Sequence, residues 1–397
     1  MVPLRRHGQL SSRPAPLPAE SPGRNPRRWV GPFGRWWLIL FGLVCLSACG
    51  PREPIRIGFI GGLSGRVADL GEDGLRGARF AVEQTNAAGG IDGRKVHLEV
   101  RDDAQDAANA AREFAALAAT GVDAVIGPLT SSMAVALVPA SEKAGIVMVS
   151  PTVTARRFFG IDDKFFVVAT STEVDARRSA EFHFARGTRR VGALFDLANA
   201  AYTKDWLLAF GERFKVLGGV VVGEVPFTSG EDLGYRHAVR TLKESSPDAL
   251  LLVANAVDTV RLLHLARDED LRGPVIGVTW AATERLVELG GRIVEGLTVT
   301  QFFDREDRSE RYAAFRTAFV ARFGSAPGFA SVAAYDATRA LIQALARRKP
   351  DQSVKDALLS SGPYEGVQQT WNFNRFGDAQ MASIVTEVRG GRFIVIQ

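Results

Sequence analysis

The chain has 397 residues, 46% of them hydrophobic, 23% charged and 9% aromatic, a globular composition that excludes a disordered, collagenous or disulfide-scaffold protein and allows two domains. The net charge of +5 is local: residues 1–48 hold seven arginines and one acid, Glu20, and from Cys49 onward 42 basic residues face 43 acidic ones, so no nucleic-acid partner is expected. Two cysteines and five scattered histidines exclude a Cys-rich zinc centre, and no metal or other cofactor is expected.

Residues 11–35 are rich in Pro, Ser, Gly and Arg and cannot bury a core. Trp36–Leu46 is apolar but spans only about half of the roughly 20 residues that a membrane-crossing helix needs. A positive segment, a short apolar segment and then small residues is the pattern of a secretory signal. Its end, Leu46-Ser47-Ala48-Cys49, resembles the bacterial lipobox, which implies cleavage before Cys49 and lipidation of its thiol. A plain signal peptide that ends near a cysteine is the alternative. The expectation is a signal peptide over 1–48, an anchor linker over 49–53, and a lipoprotein held at a membrane in the periplasm or cell envelope.

Beyond the linker, short β-branched runs alternate with helical stretches. Ile55–Ile60 reads as a strand, and Leu75, Ala78 and Val82 share a helical face. Strands Val96–Val100, Ala124–Ile126 and Ile146–Val149 then alternate with helices Ala107–Ala119 and Ser132–Ala144. The rhythm restarts with helix Asp175–Ala185 and strand Val191–Phe195. It continues through helix Lys204–Leu217, strand Val220–Val225, helix Tyr235–Glu244, strand Leu250–Val253, helix Asp258–Asp268 and strand Val275–Val278. Helices Ser309–Phe323 and Ser331–Arg347 follow, and Ile384–Val388, Gly390-Gly391 and Phe393–Ile396 read as a hairpin. Two runs of about five βα units predict an α/β fold with two doubly wound parallel-sheet lobes.

Ligands of such lobes sit beyond the carboxyl ends of the strands, so the loops there carry the chemistry. The glycine loop Gly61–Gly65 lacks both G-x-G-x-x-G spacing and a P-loop lysine, which argues against a nucleotide. Asp102 and Asp103 are adjacent, so in an extended segment they point to opposite faces and make no acid pair. The third strand ends in Gly127-Pro128-Leu129-Thr130-Ser131-Ser132. Hydroxyls and free N–H groups at a helix start suit a carboxylate, although Ser131 as a simple cap is equally compatible. The fourth strand ends in a second hydroxyl loop, Ser150-Pro151-Thr152-Val153-Thr154. In the second lobe Tyr202 falls near a helix start. Trp280 follows a strand end, as a core residue or as the wall of a cleft.

At these residues the chain resembles the leucine/isoleucine/valine-binding branch of the type I periplasmic binding proteins, the substrate-binding receptors of ABC importers. The likeness runs from about Ile55 to the C-terminus. It is carried by IRIGFIGGLSG, GLRGARFAVEQTNAAGGIDGRKVHLEVRDDAQD, IGPLTSS, GIVMVSPTVT and FNRFGDA. It implies two lobes, 54–172 with 303–376 and 173–302 with 377–397, joined by a three-segment hinge. It implies that Ser131, Thr154 and a backbone group at Val153 hold a ligand carboxylate, and that Tyr202 closes from the second lobe. The chain also departs from the family. Two frequent disulfide positions fall at Gln105 and Thr130, and an aromatic gate falls near Leu70. The acid that neutralises a ligand ammonium falls at Trp280. Either Asp258 or Glu284 replaces that acid, or the ligand lacks an α-amine and is an organic acid or amide.

The expected function is a lipid-anchored, monomeric solute receptor that binds an amino acid or related carboxylate or amide and delivers it to an ABC permease. The alternative is a partner-binding lipoprotein of the same fold, such as a cell-wall synthase activator, or a sensor. No enzyme is expected: there is no G-x-S-x-G elbow, no metal spacing, and no Ser, His and Asp set at strand ends.

Overall fold

The computed structural model describes residues 53–397 and, ahead of them, Ala15 alone; the signal segment, the apolar run and Cys49 lie outside the described residues. Strands β1 (Ile55–Gly61), β2 (Val96–Asp102), β3 (Ala124–Ile126), β4 (Val147–Ser150) and β5 (Phe165–Val167) form a wholly parallel sheet in the order β2-β1-β3-β4-β5. Its inner strands are continuous apolar runs because both faces are covered, and Ile57, Phe59, Val125, Ile126, Met148 and Val149 are fully buried.

A second sheet repeats that winding with β6 (Arg190–Asp196), β7 (Val220–Phe227), β8 (Ala249–Val253), β9 (Val275–Val278) and β10 (Thr298–Gln301), in the order β7-β6-β8-β9-β10. A two-stranded ribbon, β11 (Tyr364–Glu365) and β12 (Thr370–Trp371), stands apart. The C-terminal hairpin, β13 (Ile384–Arg389) and β14 (Arg392–Val395), adds antiparallel to β10. The hairpin read from sequence is therefore the edge of the second sheet. In each sheet the strand order reverses once, between β1 and β3 and between β6 and β8, and these switch points open the crevices where α/β folds bind ligands.

The chain crosses between the sheets three times. After β5 it enters helix Thr172–Ala185, which packs on helix Ala200–Leu217 and on β10. After β10 it returns to helix Glu310–Phe323 and helix Phe329–Arg347, the latter lying along helix Ala68–Ala87. Phe80, Phe315, Phe319, Phe323 and Tyr335 knit these three helices, with ring centroids 4.7–6.0 Å apart. The third crossing follows Asp378, which bridges to Val167, the last residue of β5, before the chain enters β13. Two doubly wound lobes are thus what the alternating pattern predicts, and three connections between them are what the resemblance implies.

Candidate functional site

At the end of β3 the backbone turns at Gly127, whose φ of +117° is a left-handed conformation that disfavours side chains; an added Cβ would lie 2.1 Å from the Ile60 carbonyl oxygen. The turn delivers Thr130 as the N-cap of helix Ser131–Ala144, but no side chain caps that helix. Ser131 is therefore the first helical residue and not its cap. The Thr130 hydroxyl instead bonds the Gln105 amide at 2.9–3.1 Å. A hydrogen bond thus joins the two positions at which the resemblance implies a frequent disulfide.

Between the lobes lies a cavity of about 600 Å³ of atom-free space, solvent at its mouth included. Ser131 and Thr154 line it from the first lobe, Tyr202 and Trp280 from the second. Leu70, Phe302 and Phe329 make an apolar wall, and Tyr202 meets Trp280 edge to face, with centroids 6.0 Å apart at 84°. The indole N–H groups of Trp206 and Trp280, both on lining residues, are buried with no hydrogen-bond partner among the described residues.

The lining hydroxyls are not equivalent. Those of Thr152, Thr170 and Thr279 donate to the carbonyls of Leu129, Met381 and Thr300 at 2.7 Å. The Thr172 hydroxyl donates to Thr154 Oγ1 at 3.0 Å. Ser131 Oγ accepts from the Ala155 N–H at 3.4 Å. A hydroxyl has one proton to give, so Ser131 and Thr154, whose bonds within the protein are accepted ones, keep a donor for a ligand. Two such donors, one of them the first residue of helix Ser131–Ala144, suit a carboxylate.

Val153 does not join them. It is fully buried away from the cavity lining, and its N–H is committed to Ser150 Oγ at 3.1 Å. The two acids offered as ammonium partners also sit elsewhere. Asp258 accepts from Arg66, Tyr235, Ser229 and Asn255. Glu284 pairs with Arg305 at 2.7 Å. The acid that does line the cavity is Asp175, in the first turn of helix Thr172–Ala185, which the sequence reading missed. It accepts from Ser383 Oγ at 2.6 Å with the Thr279 side chain beside it, and burial raises it to about 7.

Polar contacts join the two lobes. Arg66 reaches Asp258 at 3.0 Å, and Asp69 accepts from the Thr283 hydroxyl at 2.6 Å. Arg156 donates through its backbone and its guanidinium to Asp205, both at 2.7 Å. The Ser132 N–H donates to Asn199 at 3.1 Å. The described residues contain no group of three metal-ligating side chains, and no described helix is long and apolar enough to cross a membrane.

Residues 54–392 match the family model described as periplasmic binding protein. The chain is 26% identical over 272 residues to the Leu/Ile/Val-binding protein of Escherichia coli strain K12, covering 66% of this chain and 72% of that one. It is 24% identical over 352 residues to Leu/Ile/Val-binding protein homolog 3 of Brucella melitensis, covering 87% and 94%. Among solved structures, the branched-chain amino acid transporter substrate binding protein LivJ from Streptococcus pneumoniae, in complex with isoleucine, superposes with a TM-score of 0.79 at 25% identity, over 86% of this chain and 99% of that one. An R. palustris solute binding protein in complex with benzoate gives a TM-score of 0.79 at 17% identity, over 86% and 95%, which speaks to the fold alone. These relatives and neighbours are solute-binding proteins and not enzymes.

Proposed function

The chain belongs to the periplasmic binding protein family, and we propose that it is the lipid-anchored receptor of an ABC importer, binding an amino acid or related small carboxylate between its lobes. The observation that carries this reading is the pair of unspent donors, Ser131 and Thr154, facing an aromatic wall across an inter-lobe cavity. The relatives' Leu/Ile/Val binding and the isoleucine in a neighbour's structure support an aliphatic zwitterion. The benzoate complex of another neighbour keeps organic acids in the panel to be tested.

A ligand at 100 times its dissociation constant adds about 2.7 kcal/mol of stability, so a thermal-shift panel of amino acids and organic acids identifies it. Ser131→Ala and Thr154→Ala each remove one hydrogen bond to a charged group, worth roughly 1.5–3 kcal/mol, and are expected to weaken binding about tenfold to a hundredfold. Unchanged affinity in both variants would place the carboxylate elsewhere.

Anchoring is tested separately. Cys49→Ala, expressed in a bacterial host, is expected to lose palmitate labelling and to become soluble or keep its uncut signal. Equal labelling of both forms would remove the anchor from the proposal.

A further inference from the structure

We propose that Asp175 forms the ammonium subsite of this cavity, so that the receptor selects zwitterions through an acid on helix Thr172–Ala185, while an indole, Trp280, occupies the loop after β9. The inference rests on the proposed function, since it assigns the second charge of the same ligand.

The geometry favours Asp175 over every other acid considered. It lines the cavity from the second lobe, whereas Ser131 and Thr154 line it from the first. A ligand whose carboxylate faces those hydroxyls spans the cavity, and its other polar end meets the second lobe. Asp258 and Glu284 are held by arginines outside the lining, as described above. Asp205, on helix Ala200–Leu217, is held by Arg156. Asp175 forms no ion pair among the described residues, its hydrogen-bond donor Ser383 is neutral, and so is the Thr279 side chain beside it.

The groups around Asp175 define its electrostatics. Ser383 approaches from the segment before β13, Thr279 from the end of β9, and Tyr202 from helix Ala200–Leu217. On its own helix the Arg178 guanidinium supplies a favourable but weaker influence than burial. A buried carboxylate with only neutral partners is poorly stabilised as an anion, and a cation placed beside it restores that stability. The raised value of about 7 has that cause, burial first. A ligand ammonium would supply the missing charge, and the apolar wall of Leu70, Phe302 and Phe329 would take the side chain.

This assignment sets a sign for pH. In the empty cavity Asp175 holds a proton below about pH 7. An incoming ammonium must displace that proton, so amino-acid affinity rises from pH 5 to pH 8. The ceiling is about tenfold per pH unit below the empty-site value. A deaminated analogue puts an apolar methylene beside Asp175 and prefers the protonated acid, so its affinity stays flat or falls over the same range.

The experiment is calorimetric titration of the purified protein with matched pairs: L-leucine against 4-methylpentanoate, L-isoleucine against 3-methylpentanoate, and L-phenylalanine against 3-phenylpropanoate. For at least one pair, wild type is expected to bind the amino acid at least about tenfold tighter and, at pH 6, to release a proton as it does so. Asp175→Asn is expected to erase the amino-acid preference and the proton release together. The wild-type pH profile needs no variant and stands if Asp175→Asn fails to fold. An amino-acid preference that survives in Asp175→Asn, or a wild-type profile flat from pH 5 to pH 8, overturns the subsite and leaves the receptor reading intact. A wild type that binds only the deaminated acids also overturns the subsite alone. Binding of no member of any pair overturns the receptor reading together with the subsite.

Discussion

Replacing Gly77 by leucine is expected to unfold the first lobe at denaturant concentrations where wild type is native. Helix Ala68–Ala87 meets helix Phe329–Arg347 so closely at Gly77 that even a Cβ would lie 2.0 Å from the Ser331 carbonyl oxygen and 2.8 Å from its carbon. The obstacle is backbone, so no rotamer change relieves it. One turn earlier Asp73 fastens the same junction: it accepts from the Ser331 N–H at 2.9 Å, and its carbonyl accepts from Ser331 Oγ at 2.8 Å. Parting the helices enough for a leucine breaks those bonds and disturbs the Phe80 cluster. Overpacking and the lost hydrogen bonds together cost about 3–6 kcal/mol, a large share of the roughly 5–15 kcal/mol that holds a protein folded. Phe329, at the start of the displaced helix, lines the cavity, so any folded remnant should bind ligand poorly. Gly211→Ala is the control, because its added Cβ meets nothing nearer than 3.7 Å, in ordinary contact. Urea unfolding of the three proteins checks this, and a Gly77→Leu midpoint equal to that of wild type would contradict the close approach.

How much of this was legible in the sequence depended on which forces placed each element. Helix Ala107–Ala119 and strands Ala124–Ile126 and Val275–Val278 have the expected bounds, because local periodicity and flanking polar residues specify them. β5 and β10 were not read as strands. β10 is Thr-Val-Thr-Gln, polar at three of four positions yet wholly buried. Its polar groups are satisfied by distant partners: Gln301 donates to Thr386, and the Thr298 hydroxyl bonds His183. No local pattern encodes such pairings.

The same limit explains the site. Ser131, Thr154, Tyr202 and Trp280 sit just past strand ends, a position that the βα rhythm marks, and the cavity brings all four together. Val153 lies in the same loop, but its side chain is buried outside the cavity lining and its N–H is bonded to Ser150 Oγ. Asp175 was hidden because an acid in the first turn of a helix is ordinarily explained by the helix dipole and solvent. Only the folded chain brings Ser383, more than two hundred positions later, against it and removes water from both. The Gln105–Thr130 bond is the converse case. The resemblance marked the two positions, and the structure supplies the interaction that stands where the cysteines are missing.

Arg66→Ala is expected to weaken ligand binding about tenfold to a hundredfold without altering any residue that lines the cavity. Arg66 extends from the segment after β1 and meets Asp258 at 3.0 Å on the other lobe. Asp258 is fully buried, whereas about a third of the Arg66 side chain remains exposed. Asp196 lies close by; burial raises it to about 6, the Asp258 charge adds to the rise, and Arg66 opposes it. Removing Arg66 therefore leaves two neighbouring acids less compensated in the closed arrangement. Breaking a fully buried pair costs about 3–5 kcal/mol; the exposure of Arg66 and the remaining bonds from Tyr235, Ser229 and Asn255 reduce this to roughly 1–3 kcal/mol. An arrangement with the lobes apart does not make the contact, so the whole cost falls on the closed state and shifts the equilibrium toward opening. The loss should appear mainly in the dissociation rate, because a closed cavity must open before ligand leaves. Stopped-flow dissociation and small-angle scattering of Arg66→Ala with saturating ligand test this. Faster release with a larger radius is the expected result, whereas wild-type release would show that the Arg66–Asp258 pair carries no share of closure.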